Sequence, residues 1–145
     1  MDLFRKLKGW VGRKDAADVS PDLYLYKEEE QKPRVILITM LNVGENGIVE
    51  IIEKTTAKFS PHARVVYLTD SLGFMVFRER NAIFEYMPSL AEQLVHADTL
   101  DWPAYLKARW ELLLTKWQPE QILAYGLNID RFIANAARTG PADVR

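Results

Sequence analysis

Asn42, Gly44, Glu45, Asn46 and Gly47 follow an apolar run of strand length in the segment RVILITMLNVGENGIVEIIEKTTAKF. Open α/β sheets bind ligands beyond the carboxyl ends of their strands, so residues 42–47 occupy a position suited to a ligand. Gly44 and Gly47 can permit positive φ or close approach of backbone, and amides at the start of the following helix can hold an anion. A plain tight strand-to-helix turn would use the same residues, and both readings stay open. Three further strand ends join this loop. Asp70 and Ser71 close VVYLTD, with Asp70 placed to accept from ribose hydroxyls. Pro88 and Ser89 close AIFEYMP. Tyr125 and Asn128 flank the end of QILAYG, where they can recognise a polar ligand, although Tyr125 equally suits the core.

Several chemistries lack their residues. A dinucleotide fingerprint needs G-x-G-x-x-G, which the first loop does not complete, and Glu45 puts negative charge where pyrophosphate would lie. No P-loop motif, serine nucleophile elbow or identifiable glycosidase acid pair is present. Zero cysteines and two histidines exclude a thiolate site or a histidine-rich metal centre, so no metal site and no cofactor is expected. His96, next to Asp98 in an irregular stretch, is the candidate base, because imidazole titrates near neutrality; a surface histidine is the plainer reading. His62 belongs to the opposite edge of the sheet. No catalytic residue is assigned, and whether the chain is an enzyme is left open.

Elements must hold these positions. VILITML is nearly continuously apolar, as for a strand of a parallel sheet with helices on both faces. The following helix offers Ile48, Ile51, Ile52 and Thr55 or Thr56 as its inner side. RVVYLTD is a second strand, SLGFMVFRERN a short helix, and AIFEYMP a third strand. Residues 89–97 suit a helix. Asp101 and Pro103 are the cap and first turn of a longer one, whose apolar side is Leu106, Trp110, Leu113, Leu114 and Trp117. QILAYG is a fourth strand and LNIDRFIANAA a last helix. The expected fold is α/β: a Rossmann-like, doubly wound, mainly parallel sheet of at least four strands, with an N-terminal amphipathic helix.

The chain has 145 residues, about one domain, and its 19 basic and 20 acidic side chains leave a net charge of −1, with no pull toward nucleic acid. The charge is uneven. Residues 1–14 hold Arg5, Lys6, Lys8, Arg13 and Lys14 against Asp2 alone, while Leu3, Phe4, Leu7, Trp10 and Val11 fall at helical spacing. Such a segment can lie on an anionic membrane surface or pack against protein. No stretch approaches the roughly 18 apolar residues of a membrane span, and no secretion signal is evident. The expected location is cytoplasmic, peripheral to the inner face of a membrane if the segment binds one. The organisation expected is a basic amphipathic segment at 1–14, a connector or edge strand at 15–33 that includes Leu23-Tyr24-Leu25-Tyr26, the α/β domain at 34–137 and a tail at 138–145.

The succession VILITML, NVGENG, VVYLTD, FRERNAIFEYMP and WQPEQILAYG resembles the N-terminal, acceptor-side half of GT-B glycosyltransferases over residues 33–135. That resemblance implies contact between residues 42–47 and a transferred sugar or its phosphate. It also implies a separate partner subunit supplying the donor domain, since this chain has no room for a second such domain. The functional expectation is a noncatalytic or regulatory Rossmann-like module acting through homo- or hetero-oligomerisation. The alternatives are the acceptor-side subunit of a glycosyltransferase or a small enzyme binding a nucleotide, nucleotide sugar or sugar phosphate.

Overall fold

A computed structural model describes residues 32–138. The chain divides into two units, Met1–Pro33 and Arg34–Arg145. The N-terminal amphipathic segment, the Leu23-Tyr24-Leu25-Tyr26 strand and residues 139–145 of the tail lie outside the described residues.

Elements of the second unit alternate: β1 Val35–Leu41, α1 Glu45–Phe59, β2 Arg64–Thr69, α2 Met75–Arg78, β3 Ile83–Tyr86, α3 Leu90–Val95, α4 Trp102–Trp117, β4 Gln121–Gly126 and α5 Ile129–Ala134. The four strands form one parallel sheet in the order β3-β2-β1-β4. The chain thus winds outward from β1 through β2 to β3, then returns to place β4 on the other side of β1. The switch point falls between β1 and β4, where Leu37 pairs with both Val66 and Ile122.

All seven residues of β1 are buried, which explains its unbroken apolar run. Val35, Leu37 and Leu41 meet Trp102, Leu106 and Leu113 of α4 and Phe132 of α5. Ile36, Ile38 and Met40 meet Ile48 and Ile52 of α1 and Phe77 of α2. Helices on both faces make the sheet doubly wound, and each aliphatic side chain so enclosed contributes about 1.5–3 kcal/mol of transfer free energy.

Several polar groups in these layers are hydrogen-bonded between elements. Thr55, rather than Thr56, is the buried threonine of α1, and its Oγ1 donates to Ile51 O and lies 2.7 Å from the Tyr67 hydroxyl. Phe77 stacks on Phe84 at 4.7 Å, fixing α2 over β3. On the other face, Glu85 accepts from Lys116 Nζ at 2.6 Å and Trp117 Nε1 at 2.8 Å, tying β3 to the last turn of α4. Asp101 caps α4 by accepting from Ala104 N–H, and Pro103 stands in its first turn. At the far end Gln118 takes φ 44° and Pro119 prevents continuation. The helix expected over 89–97 is shorter, Leu90–Val95, because Ser89 is its cap and His96 already leaves helical geometry. Gln93, buried in that helix, donates to Pro88 O and accepts from Ala137 N–H.

Candidate functional site

The carboxyl ends of the strands bring together residues 42–46, 70–73, 87–89 and 127–128. Asn42 is in the left-handed region at φ 65°, and its N–H donates to Asp70 Oδ1 at 3.0 Å. This bond joins the first two candidate loops directly. Burial of Asp70 raises its pKa above the ordinary carboxylate value, outweighing the stabilising backbone hydrogen bond from Asn42. Ser71 is occupied within its own loop: its N–H donates to Thr69 Oγ1 and its Oγ accepts from Gly73 N–H. Glu45 is exposed in the first turn of α1 and leans over the same loop, since a β-carbon on Gly73 would lie 3.1 Å from Glu45 Oε2. Asn46 is exposed beside it.

The glycines divide by role. Gly44 is the N-cap of α1 at φ −72°, with open space where a β-carbon would stand, so neither conformation nor packing requires glycine there. Gly47 and Gly126 make room for Val43. A β-carbon on Gly47 would come within 3.0 Å of Val43 Cγ1, and one on Gly126 within 2.7 Å of Val43 Cγ2. Gly126 also has φ 79° and would meet Leu41 O at 2.3 Å. Beyond it, Leu127 N–H donates to Leu41 O at 3.0 Å. The switch point between β1 and β4 is therefore laced by backbone and filled by a valine side chain.

The remaining candidates are dispersed. Asn128 caps α5 by accepting from Arg131 N–H at 2.8 Å. Tyr125 is half-buried against the cluster under α1. His96 ends α3 with an exposed side chain, and its carbonyl accepts from Trp102 Nε1 and Thr99 Oγ1. His62 precedes β2 at the opposite end of the sheet.

One pair at this end was not singled out from the sequence: the Tyr86 hydroxyl donates to the Glu92 carboxylate. Burial, then the Glu92 hydrogen bond and charge, push the Tyr86 phenol up to about 12. The sequence signal was Ser89-x-x-Glu92, the spacing of a helix-start capping box. Ser89 Oγ does accept from Glu92 N–H, while the Glu92 side chain turns to Tyr86 instead.

Charge is uneven along the strand axis, although the Arg109 guanidinium of α4 reaches the carboxyl end and donates to Tyr86 O at 3.2 Å. Residues 41–46, 70–76 and 86–104 carry Glu45, Asp70, Glu92, Asp98 and Asp101 and neither lysine nor arginine. Arg131, following Asp130 in the first turn of α5, is the nearest basic residue beyond β4. The opposite end holds Arg34, Lys58, Arg64 and Arg80, with Arg34 paired to Glu120 at 2.6 Å and Arg80 to Glu53 at 3.6 Å. The acidic end also exposes large apolar side chains: Leu72 (71%), Leu94 (59%) and Val95 (76%), with Met75, Leu90 and Leu100. Among the described residues, no group of three or more His, Asp or Glu is placed to hold a metal ion, and no helix is long and apolar enough to cross a membrane.

No family model, curated protein or solved structure matches this chain. What is established is the generic fold, a mixed α/β domain with a parallel four-stranded, Rossmann-like sheet.

Proposed function

We propose that this domain is a noncatalytic Rossmann-like module that works by associating with protein, through homo- or hetero-oligomerisation. The observation that carries the reading is the acidic, apolar character of the strand-end rim. Phosphate and sugar-phosphate ligands are anions, met by arginine, lysine or free helix amides. Here Glu45 and Asp70 flank the first loop without a basic residue in either segment, and Val43 fills the switch point. Exposed leucines on a predominantly acidic rim are the composition of a protein contact rather than of a phosphate cradle.

The acceptor-side glycosyltransferase subunit and the small nucleotide-binding enzyme ask this rim to hold sugar or phosphate, and both rest on resemblance and loop position. A cytoplasmic location belongs to the same proposal. Thermal-shift screening of the full chain against nucleotides, nucleotide sugars and sugar phosphates separates the readings, because binding to the folded state raises Tm. No shift is expected, and light scattering is expected to report a species heavier than one chain. A Tm rise that Asp70→Ala abolishes would replace this reading with a ligand-binding one.

A further inference from the structure

The rim and the first residues of the chain are complementary in charge and in apolar content. The strand-end segments carry five carboxylates and no lysine or arginine of their own, the Arg109 guanidinium of α4 reaching them only at Tyr86 O, together with exposed Leu72, Leu90, Leu94 and Val95. Residues 1–14 carry five basic side chains against one aspartate, and Leu3, Phe4, Leu7 and Trp10 are spaced apart from Arg5, Lys6 and Lys8. Leu90 and Leu94 stand one helical turn apart, so both project from one side of α3. Asp98 follows that helix, and Glu92 lies within it with its carboxylate held by Tyr86.

We infer that the strand-end rim is a docking surface for residues 2–14 of a second copy of this chain. The inference rests on the oligomerising role proposed above and names the partner for it. Leucines of α3 receive the apolar side chains of the incoming segment. The surrounding carboxylates meet its lysines and arginines, which steers encounter and fixes orientation more than it adds affinity. An acidic rim would be repelled by an anionic bilayer, so a membrane could recruit the basic segment but not this surface.

The test is light scattering of the full chain over a range of concentrations at low salt, with Lys6→Glu/Lys8→Glu and Asp98→Lys as separate variants. Each variant should weaken self-association by on the order of tenfold or more while the far-UV circular dichroism of the parent is kept, because Asp98 is exposed. Mixing the two variants should restore association, since the reversed segment now meets a rim of reduced negative charge; a folding defect cannot produce that rescue. Leu94→Ser should weaken association in either partner. Self-association untouched by all three variants would overturn this inference and leave the oligomerising role intact. A strict monomer at every concentration would overturn both, as would a monomer that binds phosphatidylserine vesicles through residues 1–14.

Discussion

Val43 lies between Gly47 and Gly126, with its two methyl groups where β-carbons on those glycines would have to stand. Gly47, one of the two glycines that suggested a ligand cradle, thus serves with Gly126 the packing of one aliphatic side chain across the switch point.

Gly126→Ala should be among the costliest single-methyl additions in the domain. It places a β-carbon 2.3 Å from Leu41 O at φ 79°, and the combined strain should exceed about 2 kcal/mol. Urea unfolding of the variant checks the figure.

Gly44→Ser should do the reverse. The position caps α1 without a side-chain hydrogen bond, at a φ any residue adopts and with open space around it. A serine oxygen there can accept from the first-turn amides and add about a few tenths of a kcal/mol. Loss of stability in the same denaturation assay would contradict this account of the loop.

Thr39→Val should stabilise the fold. Thr39 is buried in β1 and its hydroxyl has no hydrogen-bond partner; valine keeps the shape and removes the stranded polar group, a gain of about 1–2 kcal/mol. By contrast Tyr67→Phe should cost about 1 kcal/mol, because it removes the hydroxyl that meets Thr55 Oγ1. Thermal melts of the two variants should move in opposite directions.

Asp70 makes stability depend on acidity with a definite sign. Its pKa is raised in the folded state, so its contribution is fully present below the unfolded value of 3.8 and is lost as pH rises through the higher folded value. Asp70→Asn, which can still accept from Asn42 N–H, should therefore stabilise at neutral pH, with the advantage fading on acidification. Tyr86, pushed up to about 12 from the ordinary 10.0, follows the same sign at the alkaline end: stability should fall between those two values, and Tyr86→Phe should remove that loss. Denaturation midpoints measured across pH test both.

What could be read from the sequence was local in origin. The unbroken VILITML run announced a strand buried on both faces, and β1 is that strand. Asp101 followed by Pro103 marked the start of α4, because caps and first-turn prolines act within a few residues. The role of Gly126 was out of reach. It depends on β4 returning beside β1, which sets Gly126 against Leu41 and Val43 from more than 80 positions away. Glu85 likewise reads as an ordinary strand-face carboxylate until α4 brings Lys116 and Trp117 over it. Asp70 stood among the candidate residues, but its partner, the backbone of Asn42, has no signature in side-chain types.

Gln93 has a consequence for how the domain can be cut. Its carboxamide joins the loop after β3 to the main chain at Ala137, three residues beyond the end of α5. A fragment stopped at Ala134, where the last helix ends, would leave a buried carbonyl oxygen without its donor. The smallest self-sufficient piece therefore extends past its final regular element, and any tag or fusion joint belongs after that amide.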